Sequence, residues 1–187
     1  IKRAFWQVWK EGKYPEFEFI LGSLDTAYTE KQENDASALT IWGVFRDKNN
    51  NPKMMLIWAW QERLEFHDLI QRVTDTCTIT ATKKSHPQFA VDKLLIESKA
   101  SGMSVGQELH RMFRGSGKLG IDLINPGVYG DKVARVHAIQ HLFADEMIYA
   151  PDMSWADMVI DQCAVFPKGS RDDLVDSTSQ ALRFLRD

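Results

Sequence analysis

Apolar residues cluster along the first third of the chain in short β-prone runs separated by polar turns. Phe17 to Leu24 (FEFILGSL), Ala38 to Phe45 (ALTIWGVF) and Lys53 to Trp60 (KMMLIWAW) each have the length and composition of a strand. Asp47 to Pro52 (DKNNNP) is a dense turn signal between the second and third runs, so these two are predicted to form a hairpin. The spacing then changes. Phe66, Leu69, Ile70 and Val73 recur at helical intervals, as do Val105, Leu109, Met112 and Phe113. Val91 to Ile96 and Gly120 to Ile124 read as short strands on either side of that second helix. Helices are predicted over Lys132 to Phe143, Trp155 to Val165 and Asp172 to Leu185. Three strands, a helix and then alternating strands and helices predict an α/β domain with a mixed sheet.

Composition narrows the class. With 187 residues, 44% hydrophobic and 26% charged, the chain fits one globular domain with a substantial core. A net charge of -3 argues against coating nucleic acid by bulk charge, but a local basic stripe can still hold a phosphate backbone. Cys77 and Cys163 are too far apart for a zinc spacing or a disulfide framework, and a reducing cytosol is the simplest setting. No apolar run approaches the ~20 residues that span a bilayer, and no secretion signal is recognised. The chain opens at Ile1 rather than Met, as a fragment of a longer protein would.

The candidate chemistry lies in acidic residues at element ends. Asp25 follows the first apolar run, in Gly22-Ser-Leu-Asp-Thr-Ala27, and Glu97 ends the fourth, in Leu94-Leu-Ile-Glu-Ser-Lys-Ala-Ser-Gly102. Each has a plainer account on its own: a turn-capping Asp and an exposed strand end. Asp172, Asp173 and Asp176 open the last helix, where acids suit the macrodipole. Two would serve that purpose, and a third on the same turn is better explained by a cation. Hard cations such as Mg²⁺ and Mn²⁺ take oxygen ligands, and two of them about 4 Å apart can activate water and stabilise a leaving oxygen in phosphodiester cleavage. Lys99, Lys168 and Arg171 lie near the acids in sequence and are the candidates for positioning phosphates. Lys83, Lys84 and His86 form another basic group, and His110, Arg111, Arg114 and Lys118 a further one that would extend the phosphate track, although a solvated surface is the favoured reading of that last group. His137 and His141, four apart, lack a third ligand and read as an ordinary helix face, and Trp58 and Trp60 read as strand packing.

The segments Ser23-Leu-Asp-Thr-Ala27, Asn34-Asp-Ala-Ser-Ala-Leu-Thr40, Ile96-Glu-Ser-Lys-Ala-Ser-Gly102 and Arg171-Asp-Asp-Leu-Val-Asp176 together resemble the nuclease domain of the large terminase subunit of tailed bacteriophages. The resemblance spans nearly the whole chain. It implies a ribonuclease-H-like mixed sheet with helices on both faces. It also implies a metal-dependent endonuclease that cuts concatemeric double-stranded viral DNA during genome packaging, in the cytoplasm of the host bacterium. Carried over by position, the catalytic acids are Asp25, Glu97 and Asp173, with Asp176 as a further ligand and Asp172 as another candidate for two Mg²⁺ or Mn²⁺ ions. Where that family often has a His before the paired Asp, this chain has Arg171. The implied partners are double-stranded DNA, a packaging ATPase domain of the same subunit, the portal and the small terminase subunit. No phosphate-binding loop of the ATPase type is present, since Gly115-Ser-Gly-Lys118 lacks both the spacing and the hydroxyl residue after Lys. The expectation is therefore the nuclease half alone, or the remnant of a prophage protein. The competing readings are a non-catalytic DNA or portal docking module and another ribonuclease-H-like nuclease, such as a resolvase or transposase.

Overall fold

The computed structural model describes residues 1–27, 35–78 and 89–187. Lys83, Lys84, His86 and the Asn34 position lie outside them. The strands are β1 (Gln7–Trp9), β2 (Phe19–Asp25), β3 (Ser37–Arg46), β4 (Pro52–Glu62), β5 (Lys93–Glu97), β6 (Gly120–Ile124) and β7 (Ile148–Pro151). The helices are α1 (Phe66–Cys77), α2 (Ala100–Phe113), α3 (Lys132–His137), α4 (Gln140–Ala144), α5 (Ser154–Val165) and α6 (Asp173–Arg186). The strands form one sheet in the order β1-β7-β4-β3-β2-β5-β6. β2, β3 and β4 pair antiparallel, whereas β5 and β6 extend the sheet parallel to β2.

Alternation along the strands divides the interior into two cores. Leu21, Trp42, Leu56 and Leu95 pack with residues of α3 to α6 on one face, among them Val136, Leu142, Val159 and Leu182. Ile20, Leu24, Leu94 and Ile96 pack with Leu69 and Val73 of α1 and Val105 and Leu109 of α2 on the other. Helices on both faces of a mixed sheet are what the sequence pattern predicts. β2 and β5 lie side by side in register, Leu24 opposite Ile96. Asp25 continues the Leu21–Ser23 row and Glu97 the Leu95 row, so both carboxylates emerge at the carboxyl ends of adjacent parallel strands, on the α6 face.

Buried hydroxyls pin α6 to that face. Ser177 Oγ donates to the Ser23 carbonyl (2.6 Å), Ser23 Oγ donates to the Ser177 carbonyl (2.7 Å), and Thr40 and Ser177 share a hydrogen bond of 2.7 Å. Trp42 Nε1 donates to Thr40 Oγ1. These bonds tie Ser177 of the helix to β2 and β3, which fixes the axial position of α6 as apolar packing alone would not.

Three local features depart from the sequence pattern. β1 and β7 span only three and four residues, too short to show an alternation. The helix expected over Lys132 to Phe143 is two short helices, α3 and α4. Arg186 Nη1 takes the Ala138 carbonyl (2.8 Å), and Ile139 N bonds back to Val136 in a tighter turn that seats the Ile139 side chain in the core. α2 begins five residues earlier than the Val105 start of its apolar spacing, directly after β5. That early start depends on Gly102, where an added Cβ would lie 1.9 Å from the Glu97 carbonyl oxygen. Gly102→Ala is therefore expected to shift the first turn of α2 and to lower stability by about 1–3 kcal/mol in urea unfolding, the cost of forcing an extra methyl into a packed site.

Candidate functional site

The acidic residues meet in an open cleft of about 620 Å³ at the carboxyl ends of β2 and β5 and the amino end of α6. Asp25, Asp172, Asp173 and Asp176 line it together with Lys99, Lys132, Arg171 and Arg63. Asp25, Glu97 and Asp176 are the deep acids, with only 5%, 3% and 4% of their surface exposed. An ionised carboxylate so buried is costly unless charge or hydrogen bonds compensate it.

Three cations compensate, each reaching two acids. Lys99 Nζ stands 3.0 Å from Asp25 Oδ1 and 2.8 Å from Glu97 Oε2. Lys132 Nζ stands 2.7 Å from Asp172 Oδ2 and 2.8 Å from Asp176 Oδ2. Arg135 lies 3.2 Å from Glu97 Oε1 and 3.7 Å from Asp176 Oδ1, tying the β5 corner to the α6 corner. Lys132 and Arg135 are three residues apart on α3, hence on one face of it. Asp131 caps that helix by accepting from the Ala134 amide at 2.8 Å. Arg135 is the most enclosed of the three, its side chain 12% exposed against 43% for each lysine.

Asp173 stands apart from this inner set. Its carboxylate accepts from Gln61 Nε2 (2.7 Å), and Gln61 Oε1 in turn accepts from Gln162 Nε2 (2.6 Å). Asp176, one turn further along α6, is the helix acid whose charge bears on Asp25. On the other side of the cleft, Thr26 and Ser101 share a buried hydroxyl hydrogen bond of 2.8 Å that joins the end of β2 to the first turn of α2.

Of the sequence candidates, Asp25, Glu97, Asp172, Asp173, Asp176, Lys99 and Arg171 come together here, whereas Lys168 is exposed and lies outside the cleft lining. The Arg111–Lys118 group lies at the far end of α2, about 15–20 Å along the helix from its start by the rise of 1.5 Å per residue. His137 and His141 sit exposed on separate short helices. Lys132, Arg135 and Gln61 did not stand out in the sequence. The available signal was a pair of cations, Lys132 and Arg135, three apart on one helix face.

Ionisation follows from this geometry. Burial, reinforced by the charges of Asp176 and Glu97 and opposed by Lys99, pushes the Asp25 carboxyl up to about 7. Burial also raises Asp173, where Asp172 and Asp176 add to it, and Asp176, where Lys132 and Arg135 oppose it. Burial works against Glu97 as well, but the hydrogen bond and charge of Lys99 and the charge of Arg135 outweigh it and hold Glu97 below its ordinary range. Asp25 binds its proton more tightly folded than unfolded, so its contribution to stability is lost as pH rises toward neutrality. In chelator, the melting temperature should fall between about pH 4 and about pH 7, and Asp25→Asn should flatten that slope. An unchanged slope in Asp25→Asn would assign the pH dependence to other groups.

Among the described residues, no three His, Cys, Asp or Glu side chains converge on one point that could hold a metal ion. The acids are instead grouped in pairs about the two ammonium groups. The donor set still fits a hard divalent cation. It is all carboxylate oxygen, each ammonium marks a position where one cation already faces two acids, and Asp176 Oδ2 is buried without a well-directed hydrogen bond.

Among the described residues no helix is long and apolar enough to cross a membrane. No protein-family model matches the chain, and none of the curated protein sequences matches it. Solved structures do. The large terminase nuclease from the thermophilic phage G20c superposes with a TM-score of 0.57 at 10% identity, covering 96% of this chain and 94% of that one. The fowlpox virus Holliday junction resolvase superposes with a TM-score of 0.50 at 18% identity, covering 90% of this chain and 98% of that one. Sheet order, mixed strand directions and these likenesses together give the chain the ribonuclease-H-like fold.

Proposed function

We propose that this domain is a divalent-metal-dependent endonuclease acting on double-stranded DNA, and that the terminase role in genome packaging is its setting. One observation carries the reading: acids from β2, β5 and α6 meet at one open cleft, deeply buried and paired with cations. The likeness to a terminase nuclease supports the packaging role. That role would place the domain in the host cytoplasm, with a packaging ATPase domain, the portal and the small terminase subunit as partners.

Asp25, Glu97 and Asp176 would hold two Mg²⁺ or Mn²⁺ ions, with Asp173 and Asp172 completing the outer positions. Bound there, such ions lower the pKa of a coordinated water and stabilise the leaving oxygen of a phosphodiester. Arg135 holds Glu97 and Asp176 in place from behind. Lys99 and Lys132 are half-exposed and can swing from the acids to phosphate oxygens as DNA enters, and Arg171 at the cleft edge offers a further phosphate contact. Lys168, exposed outside the lining, would at most touch DNA beyond the cleft.

A resolvase is the second reading, favoured by the higher identity, 18%, to the fowlpox resolvase. A plasmid nicking assay with Mg²⁺, Mn²⁺ or chelator tests the first. Cleavage should require the metal, and Asp25→Asn, Glu97→Gln and Asp176→Asn should each lose at least about 100-fold, the scale at which a group that activates or positions reactants is felt. Asp173→Asn should lose less. Full activity in Asp25→Asn would rule out chemistry at this cleft, and no metal-dependent nicking by the wild type would favour a docking module. Cleavage confined to four-way junctions would favour the resolvase.

Lys132→Met tests the metal positions separately from turnover. Removing the ammonium between Asp172 and Asp176 takes away a competitor for the cation. Calorimetric Mn²⁺ binding should tighten by about tenfold, equivalent to about 1.4 kcal/mol, while the melting temperature in chelator drops because Asp176 loses its counter-charge. Weaker Mn²⁺ binding in this variant would contradict the assignment.

A further inference from the structure

The first turn of α6 has a polar group that its own helix does not satisfy. Leu174 N–H is among the leading amides of the helix, which have no carbonyl within the helix to bond. Asp172 is the residue placed to cap that end, but its side chain makes no capping bond and turns instead to Lys132 Nζ, 2.7 Å away. The acceptor comes from another helix: Leu174 N–H donates to Gln162 Oε1 of α5 at 3.3 Å. Gln162 Nε2 donates to Gln61 Oε1 of β4 at 2.6 Å, and Gln61 Nε2 donates to Asp173 Oδ2 at 2.7 Å. The path starts at the peptide nitrogen that follows Asp173 and returns to the Asp173 carboxylate, a closed ring through α6, α5 and β4.

The ring has one direction. A carboxamide has an oxygen that accepts and a nitrogen that donates, and either can be turned toward a neighbour. A main-chain N–H only donates. Leu174 therefore requires the oxygen of Gln162, which leaves the Gln162 nitrogen to face Gln61. That nitrogen requires the oxygen of Gln61, which leaves a donor to face Asp173. Each link orients the next, and the last delivers an N–H to a carboxylate, which as an anion only accepts. Asp25, Glu97 and Asp176 are held by cations, whereas Asp173 has no ion pair among the described residues, so this hydrogen bond is what holds its side chain. Oδ2 is committed to it, and Oδ1, which has no hydrogen-bond partner among the described residues, is the oxygen left for a cation. Gln61 and Gln162 lie outside the cleft lining, behind Asp173.

We propose that Gln61 and Gln162 are positioning residues of the cleft. Together they fix the Asp173 carboxylate for a divalent cation, and Gln162, by capping α6 from α5, releases Asp172 to join the charged cluster. This role rests on the metal-dependent nuclease reading. Groups that hydrogen-bond a metal ligand from behind contribute about 10–100-fold to metal affinity or activity.

Gln162→Glu separates positioning from a merely structural role. The introduced carboxylate still accepts from Leu174 N–H, and its charge suits a helix N-terminus, so the melting temperature in chelator should change little. It cannot donate, so Gln61 turns its nitrogen toward α5 and its oxygen toward Asp173. The added negative charge would by itself attract a cation. Calorimetric Mn²⁺ binding should nevertheless weaken by at least about tenfold, because Asp173 has lost its donor. Gln61→Met, which removes the same donor without adding charge, should weaken it as much. In plasmid nicking, the Mn²⁺ concentration for half-maximal rate should rise at least about tenfold in both variants, with KM for DNA unchanged and the rate recovered at saturating metal. The Gln61 side-chain amide signals should move in Gln162→Glu in chelator, as the reversed orientation requires. Mn²⁺ binding that is strong in the wild type and unchanged or tighter in Gln162→Glu overturns the proposal and leaves the nuclease reading standing. A wild type that neither binds Mn²⁺ nor nicks DNA overturns both.

Discussion

Buried negative charge governs this structure. Three carboxylates, on Asp25, Glu97 and Asp176, are withdrawn almost wholly from water at one end of the sheet. In a folded protein such charges persist only beside compensating cations, because the desolvation of each ion costs several kcal/mol. Lys99, Lys132 and Arg135 supply them, and each spans two acids instead of one. The short helix α3 carries two of the three, so its capping by Asp131 and its anchoring through Val136 bear directly on the cleft. The arrangement is a chain of charges running from Asp25 to Asp172, in which loss of any one cation leaves two acids unbalanced.

The sheet makes that set possible. Parallel pairing of β2 with β5 puts two strand ends side by side, and alternation turns both terminal acids to the same face. α6 then delivers Asp173 and Asp176 from above, held by hydroxyls of Ser23, Thr40 and Ser177 rather than by apolar contact alone. Apolar packing tolerates a small slide of a helix along a sheet; reciprocal hydrogen bonds of 2.6 and 2.7 Å do not. The carboxylates thus inherit their positions from backbone pairing and buried hydroxyls, both stiffer than the side chains that surround them.

Much of this was legible in the sequence, and the remainder has identifiable causes. Strand ends carrying Asp25 and Glu97, the hairpin around Asp47 to Pro52 and the acidic start of α6 all follow from local pattern. β1 and β7 were not legible because three or four residues show no period. At the break between α3 and α4 the Arg186 side chain takes the Ala138 carbonyl from 48 residues away, a contact that no local propensity encodes. Lys132 and Arg135 pair with acids 38 to 44 residues distant, so proximity along the chain favoured Lys168, which the fold leaves outside. The three acids of α6 were equivalent in sequence, and only the sheet beneath them separates Asp176, over Asp25, from Asp173, over Gln61.

The contact between Gly102 and the Glu97 carbonyl bears on how such a site can survive sequence drift. There α2 meets β5 main chain to main chain, with no side chain between them. The spacing of helix and strand at the cleft is then set by peptide atoms that every amino acid shares. Core residues on either side of the sheet can be exchanged for others of similar volume without altering that spacing, provided one position stays bare. A cleft built in this way can keep its shape while nearly everything around it is rewritten, which is the condition under which chains with as little as 10% identity still superpose over almost their whole length.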